Sequence, residues 1–169
     1  MSAAQGGHKE VVKILLEHEK ETKNKDEDTA LILAARAGHE DIVELLDPTD
    51  ENGVTALMRA ADRNDVEVVR ALIPLHKGKT ASCVTIDKCV ILRGPALMMA
   101  AIYGHAEVVR LLVEHEGGMK DEDGWTALMY AARENKADCI KLLLEKEGGM
   151  QDNDGWTALM GATYNNNLE

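Results

Sequence analysis

A chain of 169 residues with 45% hydrophobic content can bury one domain-sized core, and its 30 acidic against 19 basic side chains leave a formal charge of −11. That surplus argues against nucleic acid, whose phosphates need a basic face, and makes a basic protein surface the natural complement. With no Phe, two Trp, three Tyr and eight Met, the core must be aliphatic, which suits helices packed in thin layers.

The chain starts within a pattern that later recurs. Ala3-Ala4-Gln5-Gly6-Gly7-His8 reads as the end of one helix, and Val11-Val12 with Ile14-Leu15-Leu16 as the apolar face of the next. A signature then marks each following unit: Thr29-Ala-Leu-Ile, Thr55-Ala-Leu-Met, Pro95-Ala-Leu-Met, Thr126-Ala-Leu-Met and Thr157-Ala-Leu-Met. The last three stand 31 residues apart, the first two 26, and the pair between them 40. The unit is thus 31 residues, with one deletion of five and one insertion of nine. The expected boundaries are a partial unit at 1–20, complete units near 21–47, 48–87, 88–118 and 119–149, and a partial unit at 150–169.

Each element of the unit has a physical reason. The Thr hydroxyl can cap the first helix, and the fixed φ of Pro95 suits a first helical turn. Small pairs such as Ala34-Ala35, Ala60-Ala61, Ala100-Ala101 and Ala131-Ala132 allow close helix approach. Three residues on stand Gly38, Asn64, Gly104, Asn135 and Asn166, and only Gly and Asn occur there. Those two residues best tolerate the left-handed conformation that ends a helix. Asp41, Glu67, Glu107 and Asp138 then open a second helix, where negative charge is favourable. Its stripe is Ile42-Val43 with Leu45-Leu46, and likewise Val68-Val69, Val108-Val109 and Cys139-Ile140 with their followers. A polar tip with Asp-Gly, as in 121–125 and 152–156, returns the chain to the next Thr.

This unit resembles the ankyrin repeat, a turn plus two antiparallel helices. Gly38-His39 and Gly104-His105 stand where that family carries Gly-His, and the likeness covers nearly the whole chain. Two departures are Ala-Leu-Met for Pro-Leu-His and Glu-Gly-Gly-Met after the second helix, a dialect similar to that of ankyrin proteins of parasitic protozoa. The resemblance implies an all-α ankyrin-repeat solenoid of stacked helix-turn-helix units with short hairpin or turn tips.

Residues 77–94 hold the insertion. The β-prone stretches 82–86 and 89–92 flank Asp87-Lys88 and suggest an enlarged hairpin, locally basic through Lys77, Lys79, Lys88 and Arg93. It reads equally as a partner-contacting protrusion and as a tolerated loop.

Catalytic and metal chemistry find no motif. Cys83 and Cys89 lack the spacing and companions of a zinc site, and Cys139 falls on an apolar helix face. His8, His39 and His105 recur at the inter-helix turn, a place for structural hydrogen bonding. Gly78-Lys79-Thr80 lacks the earlier glycine of a phosphate loop, since Ile73 occupies its place. No enzyme activity, cofactor or metal is expected. The opening residues lack a signal peptide, three cysteines suggest no disulfide framework, and no apolar run nears the ~20 residues of a membrane helix. A cytoplasmic chain is expected, monomeric, with end-to-end stacking as the alternative.

The resemblance implies binding by turn tips and the inner-helix face. The tip candidates are Glu51, Asn52, Val54, Glu122, Asp123, Trp125, Asn153, Asp154 and Trp156. The inner-helix candidates are Asp62, Arg63, Ile102, Tyr103, Arg133, Glu134 and Tyr164, with Arg36-Ala37 and Asn165 at equivalent positions. Trp125 and Trp156 are aromatic anchors on an acidic rim, or else repeat-consensus residues lying flat on the neighbouring tip. Two functions follow: an interaction scaffold for a protein partner with a basic surface, or a regulatory or targeting part of a larger protein such as an ankyrin-containing kinase.

Overall fold

The computed structural model describes residues 1–18, 23–86 and 89–164. Asp87, Lys88, Asn165 and Asn166 lie outside the described residues. Among the described residues, eleven helices and one hairpin follow in chain order: α1 (Ser2–Gln5), α2 (Lys9–Leu16), α3 (Ala30–Arg36), α4 (Glu40–Leu46), α5 (Ala56–Asp62), α6 (Val66–His76), β1 (Val84–Ile86), β2 (Cys89–Ile91), α7 (Ala96–Tyr103), α8 (Ala106–Glu116), α9 (Ala127–Arg133), α10 (Ala137–Glu147) and α11 (Ala158–Tyr164). Odd-numbered helices are the inner row and even-numbered ones the outer row of an all-α solenoid. Among the described residues no helix is long and apolar enough to cross a membrane.

The turn between paired helices follows from one residue. Gly38, Asn64, Gly104 and Asn135 have φ of 80°, 58°, 82° and 52°. Beside them, His39 Nε2 donates to the Gln5 carbonyl at 3.1 Å and His105 Nε2 to the Asp62 carbonyl at 3.0 Å. These histidines tie one unit to the unit before it. Cys139 is wholly buried, and its burial pushes the thiol pKa up. In α8 the buried residues are Val108, Val109, Leu112, Val113 and Glu116, whereas Leu111 only packs partly against them.

Helix starts are capped in two complementary ways. Thr29, Thr55 and Thr157 hydroxyls accept the N–H of Ile32, Met58 and Met160 at 3.3, 3.4 and 3.3 Å. Thr126, expected to do the same, is buried without a hydrogen-bond partner for its hydroxyl among the described residues. Pro95 sits at the N-cap itself, extended at φ −82° and ψ 174°, not in the first helical turn. In these two units a carboxylate from the outer helix supplies the acceptor. Glu116 Oε2 accepts the Leu97 N–H at 2.8 Å, and Glu147 Oε2 accepts that of Leu128 at 2.7 Å. Their second oxygens accept Gly78 and Gly118 N–H at 3.0 and 2.9 Å, so each carboxylate staples the preceding unit to its own inner helix. Both side chains are buried at 1% exposure. Burial pushes the Glu116 pKa up, while the Gly78 and Leu97 N–H groups pull it down. The Gly-Gly that follows is steric: a Cβ on Gly117 would meet the Val113 carbonyl oxygen at 2.4 Å, and Gly118 has φ +85°.

The deletion changes the stack. Helix α4 has seven residues where α6, α8 and α10 have eleven, so its last turn and its stapling Glu are missing. Inner helices pack on one another from α5 through α7 and α9 to α11, and α1 packs on α3, but α3 packs on the outer helix α6 as well as on α1 and α4, and little on α5. Arg36 at the end of α3 reaches Asp28 at 2.7 Å and Glu67 on α6 at 3.5 Å. At the far end of α6, His76 takes the place that Glu116 and Glu147 hold in later units. It is 1% exposed, and neither ring nitrogen has a hydrogen-bond partner among the described residues. Glu40 and Glu44 lie 4.0 and 3.9 Å from Nε2, and Lys79 bonds Glu40 at 2.7 Å.

Glu116→Ala orphans two backbone donors and is expected to cost about 2–4 kcal/mol, similar to Leu112→Ala at about 2–5 kcal/mol. Urea unfolding checks both, and an unchanged midpoint for Glu116→Ala would remove the staple from the account. Burial first, then Lys79, holds His76 below its ordinary 6.5, against the pull of Glu44 and Glu40. A His depressed in the folded state contributes fully above its unfolded pKa, and that contribution is lost as pH falls through the folded value. Stability is therefore expected to decline as pH drops below 6.5, and His76→Gln to flatten that decline in thermal melts across the same range.

Candidate partner interface

The tips are built from a recurring local lock. Five residues before each Thr stands Asn24, Asp50, Asp121 or Asp152, whose Oδ1 accepts two backbone N–H groups from its own loop. Asp50 takes those of Asn52 and Val54 at 3.0 and 2.8 Å, and Asp121 those of Asp123 and Trp125 at 3.0 and 2.8 Å. Asp152 does the same for Asp154 and Trp156 at 2.9 and 2.8 Å, and Asn24 for Asp26 and Asp28 at 2.8 and 2.9 Å. Part of the acidity of the tips is therefore structural.

The insertion forms the expected hairpin, with Val84 facing Ile91, Thr85 facing Val90 and Ile86 facing Cys89. It lies within the row of tips. Ser82 donates its N–H to the Asn52 carbonyl at 2.7 Å, and Glu122 donates its own to the Leu92 carbonyl at 2.9 Å. Asn153 continues the ladder, donating its backbone N–H to Asp123 at 3.1 Å and its amide to the Glu122 carbonyl at 2.9 Å.

One recess gathers five of the sixteen candidates. A cavity of about 400 Å³ is lined by Val90, Asp123, Trp125, Tyr130, Arg133, Asp152, Asn153 and Asp154. The hairpin supplies one wall, two consecutive tips the acidic rim, and Trp125 with α9 the floor. The Trp125 and Tyr130 rings lie 5.1 Å apart, and the Arg133 guanidinium covers both at 5.2 and 5.1 Å from their centroids. Glu134 pairs with Arg133 at 2.9 Å. The Tyr130 hydroxyl donates to the buried Asp121, which fastens floor to tip.

The other candidates lie elsewhere. Glu51, Asn52 and Glu122 are exposed on the tip row, whereas Val54 packs partly into the core. Asp62 is half-buried, and Arg63 is exposed on the lining of a different cavity. Ile102 is buried at 6% exposure and presents no contact surface, because it belongs to the α7 core. Tyr103 is exposed and stacks on His105 at 5.6 Å. Trp156 and Tyr164 are both exposed and meet edge to face at 5.5 Å over an open recess of about 300 Å³ with Met160 and Thr163. Of the recess lining, Val90, Tyr130 and Asp152 were not among the candidates, nor was Asp121, which holds Tyr130. The one legible signal was that Tyr130, in Met-Tyr-Ala-Ala, replaces the Met99 of the preceding unit.

The family described as ankyrin repeats in three copies matches residues 1–87, 46–117 and 97–169. The chain belongs to the ankyrin-repeat family, whose members are generally protein–protein interaction modules and typically not enzymes. No curated protein matches the chain.

The two acids of one tip should behave differently. Asp121→Ala frees two loop N–H groups and the Tyr130 hydroxyl, and is expected to lower stability by about 1–3 kcal/mol. Asp123→Ala, exposed, should stay within about 0.5 kcal/mol. Chemical denaturation of both variants checks the contrast, and equal losses would contradict the lock.

Proposed function

We propose that the chain is an interaction scaffold whose partner presents a basic segment to the recess between the hairpin and the tips at 121–125 and 152–156. The observation that carries this is the junction itself. Asp123, Asp152 and Asp154 surround an aromatic floor, with Val90 as an apolar wall. A Lys or Arg side chain entering there would meet the carboxylates of the rim, while the aromatic floor is already covered by the chain's own Arg133. The chain's charge of −11 steers basic partners toward it at low ionic strength. Trp125 and Trp156 are equivalent positions with different roles in this reading: Trp125 builds the floor, and Trp156 adds exposed apolar surface beyond it. Glu51, Asn52, Glu122 and Tyr103 extend the contact along the tips and inner face. A regulatory or targeting module within a larger protein would use the same recess.

The test is fluorescence anisotropy against a panel of Lys/Arg-rich, neutral and acidic peptides. Basic peptides are expected to bind best, and more weakly as salt rises. The double variant Asp123→Lys, Asp154→Lys should lose about tenfold or more in affinity while unfolding normally. Binding that ignores both peptide charge and this variant would place the partner surface elsewhere.

A further inference from the structure

A second cavity, separate from the tip recess, lies where the stack changes register. It has a volume of about 610 Å³, and its apolar lining includes Ala4, Val12, Leu15, Ala30, Leu31 and Ala60. That volume falls in the range of small-molecule sites. Its origin is the shortened α4. In the unit of α7 and α8, the last turn of the outer helix places Glu116 against the start of the inner helix. In the unit of α3 and α4 that turn is absent, and the inner-helix start (Thr29, Ala30, Leu31) and the end of α4 (Leu46, Asp47) line open space instead. Because α3 packs little on α5, the small side chains Ala56 and Ala60 of α5 also face this space.

The charges on its margin are not equivalent. Asp47 is held by Arg59 at 2.7 Å. Asp65 caps α6 by accepting the Val68 N–H at 3.3 Å. Lys23 pairs with Glu27 at 3.2 Å, with both side chains well exposed. Arg63 is exposed, and no ion pair or hydrogen bond of its side chain occurs among the described residues. A cavity of mixed apolar and polar lining, whose two acids among the described residues are engaged and whose described side chains include an unpaired guanidinium, suits an apolar ligand with an anionic head.

We propose that this cavity binds a single-chain amphiphilic anion, with its hydrocarbon between α3 and α5 and its carboxylate on Arg63, the chemistry of a medium-chain fatty acid. This site is independent of the basic-partner recess, since none of its lining residues is shared.

The full chain would be titrated calorimetrically with decanoate, decyltrimethylammonium and decanol, each kept below its micelle concentration. Decanoate is expected to bind saturably at one site, and decyltrimethylammonium at least about tenfold more weakly. Ala30→Leu narrows the cavity and should weaken binding about tenfold or more without lowering the unfolding midpoint. Arg63→Glu, a surface change, should weaken decanoate about tenfold or more and leave decanol unaffected. Asp123→Lys, in the other recess, should leave decanoate binding as it was. Absence of saturable decanoate binding would overturn the proposal, as would parent-like affinity in Ala30→Leu. Equal binding of the cationic amphiphile, or indifference to Arg63→Glu, would overturn the anionic assignment.

Discussion

Glu116 and Glu147 are carboxylates placed almost out of reach of water, a costly position for a charge unless its oxygens are filled by donors. Each is filled twice, by a glycine N–H from the unit before and a leucine N–H from the start of its own inner helix. A solenoid has only nearest-neighbour contacts, so its cohesion is the sum of such junctions. The staple satisfies a helix end that lacks its own cap, seals the loop behind it, and fixes where the next tip begins. Much else follows: the Gly-Gly after the helix, the register of the tips, and the recess they frame.

Where the staple is missing, the architecture loosens. The unit of α3 and α4 has lost the turn that would carry it, and its inner helix packs little on the next inner helix, α5. The next unit carries His76 at the stapling position, a ring that is buried with no hydrogen bond among the described residues. It faces Glu40 and Glu44 of the shortened helix across about 4 Å. Deletion and substitution thus fall on facing sides of one junction. Two regions result. The part from α7 onward is stapled and carries the aromatic recess, while the part up to the start of α6 carries a cavity.

Much of this was legible in the sequence, because a repeat states each rule several times. The Gly-or-Asn position, the acids opening each outer helix and the His hydrogen bonds all came from comparing units within the chain. The hairpin at 84–91 was legible from β-propensity alone. What sequence could not separate was acids by task. Asp121 and Asp123 look alike in a row of tip carboxylates, yet one locks the loop and the other faces solvent. Glu116 read as part of a divergent loop, since nothing local says that a residue at a helix end will be buried against another helix start. Ile102 read as variable and hence exposed, although its helix is apolar all round. Pairing between non-adjacent helices, as of α3 with α6, has no signature in a periodic sequence.

Amide hydrogen exchange, resolved by residue, reads each junction separately. Stapled junctions should give strong and similar protection of Leu97 and Leu128, the two helix-start amides they hold, with a step down to weak protection for Leu31 on the other side of the register change. Uniform protection from α3 to α9, or rapid exchange at Leu97 and Leu128, would contradict this and return the stapling carboxylates to the status of incidental buried charges.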